Sequence, residues 1–69
     1  MQRDLDVELK DLLNKTENLI KTNIMSKDMI GKLQGFKRDI LSHYYRGRTT
    51  IDQMDNLIDM FYDLKFKRF

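Results

Sequence analysis

The chain has 69 residues, 41% of them apolar and 35% charged, with a net charge of +2 and no cysteine. That length allows one domain, 1–69, near the lower size limit for a self-sufficient core, where roughly 60% of the unfolded surface is buried. The composition excludes a disulfide framework and, with a single histidine, a Cys/His zinc site. The apolar fraction is too high for intrinsic disorder, and the net charge is too small to imply a polyanion partner. No apolar run approaches the roughly 18 residues of a membrane span. Met1-Gln2-Arg3-Asp4 lacks the apolar region of a signal peptide. The expectation is a chain that stays in the compartment that made it.

With no proline and three glycines, little interrupts helices. The first predicted helix runs from about Arg3 to Thr22, with Leu5, Leu9, Leu12, Leu13, Thr16, Leu19 and Ile20 at helical spacing. Asp4, Asp6 and Glu8 suit its N-terminus and Lys21 its C-terminus. At Asn23-Ile24-Met25-Ser26 the helix either breaks or kinks. Ser26 is a good N-cap, which favours the break.

The second predicted helix spans about Lys27 to Tyr45. Met29, Leu33, Phe36, Ile40 and Tyr44 form one stripe, flanked by Ile30, Leu41 and Tyr45. Gly31 and Gly35 share a face and predict a close helix approach, from within the chain or from outside it. Gly47 suits a left-handed C-terminal cap, and Thr50 with Gln53 has capping-box spacing. A connection this short makes the last two helices antiparallel neighbours.

The third predicted helix, Thr50 to Phe66, is the most two-faced. Ile51, Met54, Leu57, Ile58, Phe61 and Leu64 make its apolar stripe, which Met60 and Tyr62 widen. Asp52, Asp55, Asp59 and Asp63 occupy the other side, away from any histidine, and read as a solvated face rather than a catalytic carboxylate pair. Ser42 and His43 are adjacent, about 100° apart on a helix, so they cannot act as nucleophile and base on each other. His43 reads as a partly exposed structural residue. No phosphate loop, nucleophile elbow or metal-ligand spacing occurs, so neither an enzyme nor a cofactor is expected. The tail Leu64 to Phe69 mixes bases with aromatics. It reads as helix-end charge complementing the dipole, with the aromatics tucked against the hairpin.

The expected fold is all-α, an antiparallel helical hairpin with or without a separate leading helix. It carries more large side chains than two or three short helices enclose, which predicts a protein partner. The candidate partner-binding residues are Leu9, Leu12, Leu13, Phe36, Tyr44, Met54, Phe61 and Tyr62. The same surface predicts self-association of the chain on its own.

The segment Ile51-Asp52-Gln53-Met54-Asp55-Asn56-Leu57-Ile58-Asp59-Met60-Phe61-Tyr62 resembles the second hairpin helix of the YscE/SsaE/EscE family, the small cochaperones of type III secretion needle subunits. Leu9-Lys10-Asp11-Leu12-Leu13-Asn14-Lys15-Thr16-Glu17 resembles the leading helix of the same proteins. Together the segments cover about a third of the chain. Lys21 to Lys37 is longer than the family's pattern, and its glycines have no obvious counterpart there. The resemblance implies a bacterial cytoplasmic, non-enzymatic hairpin that docks on a tetratricopeptide-like chaperone of the YscG/EscG kind. Through it, the pair holds the needle subunit monomeric before export.

Two other readings compete. A dimeric helical-hairpin regulator binding nucleic acid would need Arg46, Arg48, Lys65, Lys67 and Arg68 on one face. Met54-Asp55-Asn56-Leu57-Ile58 also resembles a short stretch of sporulation-type aspartyl-phosphate phosphatases, although the spacing from Lys37-Arg38 is short for that family.

Overall fold

The computed structural model describes residues 3–22 and 27–66, and these form three α-helices. They are α1 (Leu5–Thr22), α2 (Lys27–Arg46) and α3 (Ile51–Phe66). Neither a strand nor a membrane-length apolar helix occurs among the described residues. The Ser26 cap, and the way α1 hands over to α2, lie outside them.

Local chemistry sets the helix ends. Asp4 precedes α1 and accepts a hydrogen bond from the Val7 amide at 3.2 Å through Oδ1, satisfying one of the donors that a helix start leaves unpaired. At the end of α2, Gly47 adopts φ +67° and donates its amide to the His43 carbonyl at 3.2 Å. The Thr49 hydroxyl donates to the same carbonyl at 3.4 Å. Thr50 then opens α3 with a reciprocal capping box. Its amide donates to Gln53 Oε1 and its Oγ1 accepts from the Gln53 amide, both at 3.1 Å.

The chain runs up, down and up. Lys37 Nζ lies 3.2 Å from Glu17 Oε1, while Lys10 Nζ stands 5.6 Å from the centre of the Tyr44 ring, so α1 and α2 run in opposite directions. Phe36 meets Phe61 with ring centroids 6.4 Å apart, and the short Gly47–Thr50 connection returns α3 antiparallel to α2. Arg3 reaches Asp55 near the start of both α1 and α3, which therefore run parallel. The expected hairpin is present, but α1 packs more extensively on α2 than α3 does. The leading helix is thus an integral third of the bundle.

The core consists of Leu9, Leu12, Phe36, Ile40, Met54, Leu57 and Phe61, with Leu5, Leu13, Leu19, Tyr44, Ile58 and Leu64 packed partly against it. Each fully buried side chain of this size contributes about 1.5–3 kcal/mol relative to exposure. Met29 and Leu33 extend the buried stripe of α2 towards its N-terminus. Among the described residues Thr16 is the buried polar one, and its hydroxyl is satisfied by donating to the Leu12 carbonyl at 2.8 Å. The two helix-interior glycines depart from expectation. No neighbouring helix stands within 4 Å of where a β-carbon would sit on Gly31 or Gly35, so the close approach predicted there is not made among the described residues.

Candidate partner-binding site

Core formation divides the predicted partner residues. Leu9, Leu12, Phe36, Met54 and Phe61 are 0–5% exposed and covered by the chain's own helices. Leu13 and Tyr44 are half-buried at the edge of that core, and Tyr62 is exposed. The physical cause is α1, whose stripe of Leu9, Leu12 and Thr16 closes over the apolar side of the α2–α3 pair.

Apolar surface is nevertheless left over, concentrated on α3. Ile51, Tyr62 and Phe66 are 53%, 42% and 56% exposed, and Ile58 between them is half-buried. Successive steps of seven and four residues keep these four side chains within a narrow arc of the helix. They form a second stripe beside the one that enters the core. Tyr62 and Phe66 stack nearly parallel, 6.1 Å between centroids and 7° between planes, and Phe61 meets Tyr62 edge-on at 5.8 Å. Phe66 thus does not tuck against the hairpin as expected for the tail aromatics; Lys67 to Phe69 lie outside the described residues.

The middle of this stripe, Ile58 and Tyr62, forms one wall of a half-open cleft between α1 and α3. Leu12, Leu19 and Phe61 line its bottom, Ile58 and Tyr62 its α3 side, and Glu8, Asp11, Lys15, Asn18 and Thr22 its α1 side, with Lys65 at one end. One wall is therefore apolar and the other polar, the division that an amphipathic helix presents. A second hollow, between α2 and α3, has Phe36 and Leu64 beneath Met60 and the bare backbone of Gly35, with Lys32, Asp39 and Asp63 around it.

Ion pairs hold the polar wall in place. Arg3 Nη2 and Nε contact the Glu8 carboxylate at 2.6 and 3.0 Å, and Arg3 Nη1 contacts Asp55 Oδ1 at 3.0 Å. The hydrogen bond to Glu8, followed by that to Asp55, raises the proton affinity of the guanidinium. The same contact with Arg3 lowers the Glu8 carboxyl below its ordinary pKa. Lys15 bonds Asp11 at 2.9 Å, which raises the ammonium. These groups are solvent-accessible, so the contacts are screened and serve orientation more than stability.

The other candidate chemistries gain no geometry. Asp52, Asp55, Asp59 and Asp63 are all exposed, and among the described residues no group of three or more His, Cys, Asp or Glu could hold a metal ion. His43 is half-buried and its carbonyl serves the α2 cap. Arg46 and Arg48 flank the α2–α3 turn, whereas Lys65 stands at the far end of α3, roughly 20 Å away along the helix axis. These three bases are therefore not clustered at one end of the bundle, and Lys67 and Arg68 lie outside the described residues. No protein-family model, curated protein or solved structure matches the chain.

Proposed function

We propose that this chain is a non-enzymatic cochaperone of a bacterial type III secretion system, acting in the cytoplasm. It would dock on a tetratricopeptide-like chaperone that keeps the needle subunit monomeric before export. One observation carries the reading. The two segments that resemble the cochaperone family, Leu9–Glu17 and Ile51–Tyr62, lie far apart in sequence yet each contributes three residues to the α1–α3 cleft, Asp11, Leu12 and Lys15 from the first and Ile58, Phe61 and Tyr62 from the second. A small bundle with a closed core and one uncovered aromatic stripe is suited to binding a helical partner. Docking on the cleft covers Ile58 and Tyr62 without opening the core.

Affinity capture of the protein from its native cell, followed by mass spectrometry, tests the reading. Joint recovery of a tetratricopeptide-like chaperone and a needle subunit is the expected result. That recovery should be lost with Tyr62→Glu, whose helix content should remain that of the parent. Recovery of nucleic acid or of unrelated proteins alone overturns the proposal.

A further inference from the structure

Charge is unevenly spread along the bundle, although the net charge of the chain is only +2. Because α1 and α3 run parallel and α2 against them, the last turns of α1 and α3 meet the first turn of α2 at one end. Lys65 accordingly lines the same cleft as Leu19 and Thr22. These three turns expose Lys21, Lys27 and Lys65 against Asp28 and Asp63. None of the three lysines enters an ion pair among the described residues. Lys67 and Arg68 come next in the chain, tied by the backbone to within roughly 7 Å of Phe66. At the opposite end the balance reverses, with Asp4, Asp6, Glu8, Asp52 and Asp55 against Arg3, Arg46 and Arg48.

Helix stability alone does not account for this end. Lys21 and Lys65 complement the C-terminal ends of their helices, but Lys27 opens α2, where the dipole disfavours a cation. Beside the bases stand Phe66 and Tyr62, 56% and 42% exposed. Tyr62 stacks on Phe66, and Lys65 Nζ lies 5.6 Å from the centre of the Phe66 ring. The ring is thus engaged from within its own helix and makes a poor platform for a nucleic-acid base. An exposed aromatic among lysines suits the headgroup layer of a membrane instead. There the ring sits in the interface and the ammonium groups meet anionic lipid. We propose that this end of the bundle docks on an anionic lipid surface through Lys21, Lys27 and Lys65, with Phe66 entering the interface. The long axis of 38 Å then stands away from the membrane, and the acidic end faces water. Such a peripheral contact needs no spanning helix. It does not rest on the cochaperone reading, and its failure would leave that reading standing.

Flotation with vesicles of equimolar phosphatidylglycerol and phosphatidylcholine tests the contact. The protein should float with these vesicles, not with phosphatidylcholine alone, and should be released as salt rises. Lys27→Glu with Lys65→Glu should weaken binding at least about tenfold. Arg46→Glu with Arg48→Glu makes the same change of net charge at the far end and should weaken it far less. The chain has no tryptophan, so Phe66→Trp supplies a lone fluorophore, whose emission should shift to the blue on the anionic vesicles. Circular dichroism of each variant shows that the helices persist. Failure to float with anionic vesicles overturns the proposal, and retention of RNA at moderate salt in its place would assign the basic end to nucleic acid. Equal losses for the two charge pairs overturn it as well, as does an unshifted emission of Phe66→Trp.

Discussion

The ring of Tyr62 lies 6.1 Å from that of Phe66 and nearly parallel to it, and both keep about half of their surface in solvent. One residue before Tyr62, Phe61 is 5% exposed and meets Phe36 across the core. Neighbouring aromatics on one helix thus have opposite fates, and this division gives the first prediction. Phe61→Ala should cost about 3–5 kcal/mol in chemical denaturation, as removal of a large core side chain does. Tyr62→Gln should change stability by less than about 1 kcal/mol, as a surface substitution does. Only Tyr62→Gln should then separate binding from folding, as read by capture of the partner.

The capping box at Thr50 supplies the second prediction. Its Oγ1 satisfies the Gln53 amide at 3.1 Å, where α3 begins. Thr50→Ala should destabilise the protein by about 1 kcal/mol, and Thr50→Asp should retain most of the stability because a carboxylate also caps a helix start. Urea denaturation of the two variants against the parent measures both effects.

The open space around Gly31 and Gly35 leads to the third. Both sit inside α2, and a β-carbon at either position meets no neighbouring group within 4 Å. Gly35→Ala should therefore stabilise the isolated protein by about 0.5–1 kcal/mol, the difference in helix propensity. A higher thermal midpoint is the expected reading. Destabilisation would mean that another helix approaches this backbone in solution.

The fourth concerns pH. Arg3 holds Glu8 below its ordinary pKa of 4.5, so the folded state favours the charged carboxylate. This contribution is present above the unfolded value, about 4.5, and is lost as pH falls through the lower folded value. Thermal midpoints of the parent and of Arg3→Gln should differ near neutral pH and converge as acidification protonates the Glu8 carboxylate in the folded state. Added salt should shrink the difference, because both groups are exposed.

Much of this architecture was legible in the residues. The helices fall where the three- and four-residue spacing puts them. Gly47, Thr50 and Gln53 perform the capping roles that their types and positions predict. Capping and periodicity are local, since every atom involved lies within one or two turns of the chain. The division of the candidate site was not legible. Leu12, Met54 and Phe61 carry the same sequence signal as Ile51 and Tyr62, an apolar residue at helical spacing, but the former are buried and the latter exposed. The glycine pair likewise reads the same whether or not a helix approaches it.

By itself, then, the sequence determined an all-helical chain, the ends of its helices, the solvated acidic side of α3 and an excess of apolar surface. Only the tertiary structure decided which of that surface remains. Once α1 folds against α2 and α3, it covers the stripe centred on Met54, Leu57 and Phe61 and leaves the one through Ile51, Tyr62 and Phe66 in solvent. The physical reason is that burial of a helix face depends on contacts between residues far apart in the chain. A helix as broadly apolar as α3 fits more than one such arrangement until its neighbours are in place.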